Sequence, residues 1–242
     1  MIERARPALQ PLATSGDRAR HYARTVAAIV WKDLAAELRS KELISAMVVF
    51  ALLMILIFNF ALELDLSARE NVAAGVLWVT TVFTGTLGLN RSLAAEKDRG
   101  SLDGLLLAPM DRSALYFGKA LGNLLFILIV EAIILPVFNL LFNVAMVQPL
   151  VLLIVLLGSL GYAAVGTLLA SLAIHSRSRD VMLPILLLPV AVPLLIAAVR
   201  ATGAILVAAG PDEINPWINL LLVYDVIFVA VAFMVFEVVV EE

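Results

Sequence analysis

The sequence predicts an all-α integral membrane protein with six transmembrane helices. Hydrophobic residues make up 62% of the 242 residues, against about 45 to 50% in a soluble domain. Charged residues make up only 15%, against about 25%, and they cluster between long apolar blocks. Six of these blocks have the roughly 20 residues that are needed to cross a bilayer core about 30 Å thick.

The six blocks form one domain over residues 43–242, preceded by a cytoplasmic segment over residues 1–42. Two spans each contain one acidic residue, Glu131 and Asp225. A further apolar stretch, 201–209, is either a re-entrant piece or a short interfacial helix. The predicted spans cover about residues 43–62, 72–90, 120–143, 149–174, 181–199 and 214–236.

The lysines and arginines indicate which side of the membrane each loop faces. Basic loops stay in the cytoplasm, and fifteen of the 17 basic residues fall in segments 1–42, 91–119 and 175–180. We therefore expect both termini in the cytoplasm. The first 42 residues are polar and precede a full-length span, so we expect no cleaved secretory signal.

An amphipathic helix is predicted over residues 17–41, just before the first span. Apolar residues share one side of it and charged residues occupy the rest. We interpret it as an interfacial helix on the cytoplasmic surface, with Trp31 as an anchor at head-group depth. A partly disordered soluble tail is the alternative. The apolar side comprises Ala27, Val30, Trp31, Leu34 and Leu38.

The loop between spans 2 and 3 contains a short predicted helix with an apolar face. Ser101 is a suitable N-cap, Asp103 suits the first turn, and Pro109 ends the helix. Because charged clusters flank the apolar face as a polar rim, we expect a protein to dock there. Alternatively, the helix rests on the membrane. Its face comprises Leu102, Leu105, Leu106 and Pro109, which recur at helical spacing.

This loop resembles a motif of known transporters. Its pattern is similar to the coupling helix of exporter-type ABC permeases. The six spans, Gly75-Val76-Leu77-Trp78-Val79 in span 2 and Arg91-Ser92 after it resemble the haem exporter B family of cytochrome c maturation permeases. The loop pattern is Glu96-x-x-x-Gly100-x-Leu102-x-x-Leu105-Leu106-x-x-Pro109, followed by Gly118-Lys119 at the start of span 3.

The resemblance implies a subunit that works with a separate ABC ATPase, a haem-handling membrane subunit and a haem chaperone. A second permease half would complete a homodimer or pseudo-dimer in the bacterial inner membrane. ATP would bind to the partner, and haem would be at most a transient substrate. Leu102, Leu105 and Leu106 would fill the ATPase cleft. Glu96 and Arg99 would orient that contact. Lys119 would anchor span 3 at the membrane interface.

The residues that are absent exclude several chemistries. Zero cysteines rule out disulfides and thiolate metal sites, and no G-x-x-x-x-G-K-[ST] phosphate loop is present. A net charge of −3 does not favour nucleic acid as a partner. With only His21 and His175, and no HExxH or paired nucleophile and base, we expect a non-catalytic subunit that binds no metal or cofactor by itself.

The acidic residues inside the spans have two interpretations. A carboxylate in a span costs several kcal/mol unless it is paired, protonated or hydrated, so Glu131 and Asp225 are expected to face the bundle interior. They belong either to a substrate path, proton path or hinge, or to structural polar contacts. The expected structural partners are Asn123, Asn139, Tyr162 and Thr167.

Two other function classes stay open at this point. One is a related ABC-2 permease that exports a drug, a lipid or a glycan. The other is a membrane assembly scaffold without transport activity. A co-purifying ATPase with haem-handling subunits favours the first interpretation over both, an ATPase alone favours the general exporter, and no ATPase stimulation favours the scaffold.

Overall fold

The computed structural model describes residues 15–61, 66–98, 111–173 and 179–239. Every regular element in these ranges is an α-helix, and six of the helices, α2 to α7, are long and apolar enough to cross a membrane. The predicted all-α fold with six membrane-spanning helices is confirmed, and the cytoplasmic placement of both termini stays a prediction. The helices are α1 (Ser15–Ser40), α2 (Glu42–Ala61), α3 (Leu66–Asp98), α4 (Arg112–Phe142), α5 (Pro149–Ala173), α6 (Arg179–Leu206) and α7 (Pro211–Val239).

The helices extend beyond the spans that hydropathy alone marks. Helix α4 begins at Arg112, two turns before the predicted start of span 3, because its first residues pack inside the protein. Residues 201–206 continue α6, so the apolar stretch 201–209 is neither a re-entrant piece nor a separate interfacial helix. Helix α6 also continues without interruption through Pro184, Pro189 and Pro193.

A one-residue turn separates α1 from α2. Lys41 has φ 54°, a left-handed conformation that ends α1. Glu37, buried in the last turn of α1, accepts a hydrogen bond from the backbone N–H of Ile44 at 2.8 Å. Because the first N–H groups of a helix lack partners within it, this bond caps α2 and fixes the angle at which the two helices meet.

Helices α3 and α5 form the centre of the bundle. In each of them, 67% of the residues in the most apolar stretch of 18 residues are buried, against 22% in the same kind of stretch in α2 and in α7. Helix α5 packs against α3, α4, α6 and α7. The outer helices present large apolar side chains to the surroundings, as expected for surfaces in contact with lipid; among them are Val49, Leu53, Phe60, Val226 and Met234.

Glycines in α5 allow the central helices to approach closely. The indole of Trp78 lies directly over Gly158, and Leu89 lies over Gly166. Trp78 is 2% exposed, and its Nε1 donates a hydrogen bond to Thr202 Oγ1 at 3.0 Å. The ring therefore joins α3, α5 and α6, and it is held from two sides.

Gly158→Ala is expected to destabilise the bundle. A Cβ at this position would approach Cζ3 of Trp78 to 2.6 Å, and the hydrogen-bonded ring has little freedom to move. Overpacking of this kind costs about 1–3 kcal/mol. A loss of about 2 kcal/mol would lower the thermal midpoint by about 4–8 °C. Thermal unfolding in detergent measures it.

Gly203→Ala is the matched control for this substitution. It makes the same change in a neighbouring helix, where the added Cβ would lie 3.8 Å from Ala74 Cβ, an ordinary contact. Since alanine favours a helix over glycine, the midpoint should stay constant or rise. Equal midpoints for the two variants would show that the Trp78 contact is not tight.

Candidate functional site

The segment where the sequence predicts the docking helix lies outside the described residues. The structure gives the backbone of Glu96 in the last turn of α3 and the start of α4 at Arg112. A partner that binds the intervening segment would therefore act first on α3 and α4. The predicted docking residues in that segment are Arg99, Gly100, Leu102, Leu105, Leu106 and Pro109.

The first turns of α4 are buried between α1 and α5. Tyr116 is 1% exposed, and its hydroxyl donates a hydrogen bond to the carbonyl oxygen of Ala164 in α5 at 2.9 Å. On the other side of α4, Gly118 lies against Ile29 of α1. The helix that leaves the undescribed segment is thus fixed on two sides as soon as it begins.

Lys119 forms a buried ion pair with α1. Its Nζ lies 2.8 Å from Asp33 Oδ2, and the two side chains are only 3% and 11% exposed. The side chain of Lys119 is covered by α1, and its expected role as an anchor at the membrane interface stays a prediction. The close approach at Gly118 and Gly122 lets Asp33 reach it, so Lys119 attaches α4 to α1.

Glu131 joins three helices in the middle of the bundle. It lies in α4 and is 3% exposed. The hydroxyl of Thr81 in α3 donates to its Oε1 at 3.2 Å, and the hydroxyl of Ser159 in α5 lies 2.8 and 2.9 Å from its two oxygens. These donors compensate for the loss of water around the carboxyl group. None of its partners is one of the four that the sequence suggested.

Two further polar contacts connect α5 to α3 and α4. They lie closer than Glu131 to the segment between α3 and α4, residues 99–110, which is called the α3–α4 segment below. Thr86 Oγ1 and the Tyr162 hydroxyl lie 2.6 Å apart, and both are in hydrogen-bonding distance of the Val82 carbonyl oxygen. Asn123 Nδ2 donates to Thr167 Oγ1 at 2.9 Å. With Glu131, they connect α5 to α3 and α4 over several turns.

Asp225 differs from Glu131 in having no hydrogen-bond partner among the described residues. It is 5% exposed, and both carboxyl oxygens are buried. Its side chain points at Gly161 in α5, with Leu194 of α6 also nearby. The neighbouring Tyr224 hydroxyl is directed elsewhere, to the carbonyl oxygen of Val190 at 3.0 Å. The sequence-predicted pair of acidic residues therefore occupies two different environments.

Comparison with known proteins assigns the family. The model of the CcmB protein family matches residues 24–241. The chain belongs to the CcmB family. It is 27% identical over 183 residues to heme exporter protein B of Bradyrhizobium diazoefficiens, covering 75% of this chain and 82% of that protein. It is 28% identical over 189 residues to heme exporter protein B of Paracoccus denitrificans, covering 78% and 86%.

The CcmB-family match begins inside α1 and includes every later helix. Asp33, Lys119, Glu131 and Asp225 all lie within it. The docking segment that the sequence predicts between α3 and α4 is included as well. The buried contacts described above therefore belong to the part of the chain that the family defines, whereas residues 1–23 lie outside the match.

Across the parts of the CcmB-family chain that the structure describes, no group of three His, Cys, Asp or Glu side chains is placed to hold a metal ion. His21 is exposed on α1. Trp31, the expected interfacial anchor, is 67% exposed and lines an apolar groove beside α4. Its depth in the membrane remains a prediction.

A cavity of about 740 Å³ lies at the end of the bundle remote from the α3–α4 segment. It is bounded by α3, α6 and α7, and its polar lining consists of Arg200, Asp212 and Glu213, with Trp217 beside them. The two carboxylates outnumber the single guanidinium. The cavity is therefore a poor match for an anionic ligand such as the propionates of haem.

The sequence did not indicate Asp33, Thr81 or Ser159, which complete these contacts. For Asp33 a signal existed, because Ile29, Asp33 and Glu37 recur every four residues and so share a side of α1. All three are turned toward the protein. The amphipathic pattern separates charged residues of α1 from one apolar side, so it did not predict this second contact face.

Proposed function

We propose that this chain is the permease subunit of a haem-export complex in cytochrome c maturation, and that a separate ABC ATPase drives it through the α3–α4 segment. Family membership and the name of its relatives, heme exporter protein B, support the haem-export role. Six helices able to cross a membrane agree with a permease in the bacterial inner membrane. The chain supplies binding and motion, and the ATPase supplies hydrolysis.

The observation that carries the coupling proposal is the contact at Glu131. The ATPase-binding segment connects α3 to α4, and Glu131 ties both of these helices to α5. A displacement of the segment would therefore move three helices together rather than bend one. In this mechanism the polar side chains in the bundle transmit force, and haem or a haem-loaded chaperone is released at the far side.

Leu105→Asp tests the coupling segment. If Leu105 fills an apolar cleft of the ATPase, a buried carboxylate there costs at least about 2 kcal/mol, or about 30-fold in affinity. We expect the variant to lose ATPase stimulation and co-purification while keeping its thermal midpoint. The measurements are ATP hydrolysis by the co-expressed complex and recovery of the ATPase on the tagged chain.

Leu107→Asp is the matched control for the coupling segment. It makes the same substitution two residues away, on the opposite side of the predicted helix. Stimulation should be retained. If a folded Leu105→Asp variant stimulates normally, or if both variants fail equally, the assigned docking face is wrong.

The haem-export role has its own test. The tagged wild-type chain is purified in mild detergent, its partners are identified by mass spectrometry, and bound haem is scored by absorbance. An ATPase together with haem-handling subunits is the expected result. An ATPase without them would contradict the haem role but leave the coupling proposal standing, which separates the two claims.

A further inference from the structure

We propose that the groove between α1 and α4 is a specific site for one anionic phospholipid. One acyl chain lies in the groove and the head-group phosphate is held by Arg20 and Arg24. This inference is independent of the haem-export role, because it rests only on the contact between α1 and α4. It also gives α1 a ligand in addition to its ion pair with α4.

The groove has the size and lining for a hydrocarbon chain. Its volume is about 660 Å³, and apolar side chains line nearly all of it. On the α1 side, the small side chains of Ala23 and Ala27 leave room for the groove. The opposite wall is formed by three residues of α4: Phe117, Leu121 and Leu125. These three lie at i, i+4 and i+8, so the wall extends about 12 Å along α4 at 1.5 Å per residue.

A groove of this kind does not hold ordered water. Water needs two to four polar partners, and cavities lined by apolar side chains stay dry. Yet Leu121 and Leu125 are 40% and 37% exposed within the described structure, so their surface is open to an apolar ligand. In a membrane protein, the surrounding lipid supplies such a ligand at high local concentration.

The exposed charges of α1 select the head group. The two α1 carboxylates whose side chains the structure describes, Asp33 and Glu37, are turned inward, one paired with Lys119 and the other capping α2. The charged α1 side chains that the structure describes as exposed are all basic. Arg20 and Arg24 lie one turn apart and adjoin Ala23 and Ala27 on the helix surface, so they flank the groove. The exposed basic residues are Arg20, Arg24, Lys32 and Arg39.

A lipid chain fits this groove better than a helix of a partner protein. A helix with its side chains is about 10–12 Å across, whereas α1 and α4 are themselves in contact at Gly118 and Gly122 and leave no room for a third helix between them. An anionic phospholipid satisfies the apolar wall and the basic edge together.

Native mass spectrometry of the full chain, released from nanodiscs of equal phosphatidylglycerol and phosphatidylcholine, tests the site. We expect one retained phosphatidylglycerol and a clear preference for it over phosphatidylcholine. Arg20→Gln with Arg24→Gln should reduce this preference about 30-fold, which equals about 2 kcal/mol for two basic residues near a lipid head group. Ala27→Trp should abolish retention of either lipid by filling the groove.

Further variants distinguish loss of the lipid site from a general loss of charge and from misfolding. Arg39→Gln removes one charge at the other end of α1 and should leave the preference unchanged, whereas Arg24→Gln alone should lower it about fivefold. If Ala27→Trp does not fold, Leu121→Gln places a polar group in the groove at a partly exposed position. Equal retention of both lipids, or a co-purifying protein that Ala27→Trp displaces while phosphatidylglycerol stays bound, would overturn the proposal.

Discussion

Asp33→Ala is expected to release α1 from the bundle. It leaves the Lys119 ammonium, 3% exposed, without the carboxylate that lies 2.8 Å away. Removing one partner of a buried ion pair costs about 3–5 kcal/mol, because the remaining buried charge loses the compensation which that partner supplied. We expect a fall in the thermal midpoint and rapid proteolysis within α1. Limited proteolysis in detergent, with the cleavage sites mapped by mass spectrometry, measures the release directly.

Two controls identify the buried charge as the cause. Asp33→Ala combined with Lys119→Met removes both charges and should recover most of the loss, since an apolar pair of similar volume is tolerated at such sites. Glu42→Ala breaks an exposed ion pair, in which the side chain of Glu42 is 68% exposed and that of its partner Arg91 is 46% exposed. Exposed pairs contribute about 0–1 kcal/mol, so this variant should behave as wild type. Equal effects of Asp33→Ala and Glu42→Ala would contradict the assigned role.

The six spans and α1 were predictable because they depend on local composition. A bilayer demands about 20 apolar residues per helix, and blocks such as Pro149–Ala173 satisfy that demand wherever their neighbours lie. The helix ends were less predictable. Helix α4 begins at Arg112 among polar residues because α1 and α5 cover it there, and hydropathy along one segment does not contain that contact.

The polar contacts depend on which helices become neighbours, and this is where the sequence was insufficient. A threonine in a helix can bond its own backbone, and Thr86 of α3 does so at 2.7 Å from Val82 O. Thr81 instead donates to Glu131, 50 residues away. An apolar surface packs equally well against several partners, so the spacing of Glu131 and Ser159 did not reveal that they meet.

Two buried polar contacts of α4, at Lys119 and at Glu131, are separated by three turns and have different roles in the proposed coupling. Lys119 attaches the start of α4 to α1, and Glu131 attaches its middle to α3 and α5. The Lys119 contact lies near the start of α4, whereas the Glu131 contact lies in the bundle interior. Loss of the first contact should therefore affect partner binding, and loss of the second should affect the bundle itself.

Glu131→Ala is expected to destabilise the whole bundle. The change removes the acceptor for the Thr81 and Ser159 hydroxyls, both buried, and leaves a cavity among α3, α4 and α5. Unsatisfied buried hydroxyls cost about 1–3 kcal/mol, and the lost volume adds to this. We expect a loss of about 3 kcal/mol in total, measured as a lower thermal midpoint and lower yield of folded protein.

Glu131→Gln separates a structural role from a role that needs a proton or a charge. The amide keeps an oxygen that both hydroxyls can reach, and its nitrogen lies where Oε2 meets Ser159 Oγ at 2.9 Å. If Glu131 only joins helices, the variant should keep its midpoint and support cytochrome c formation in cells that lack the native chain. A stable Glu131→Gln variant that makes no cytochrome c would instead place Glu131 on a path for protons or substrate, because the hydrogen bonds would be intact and only the ionisable group lost.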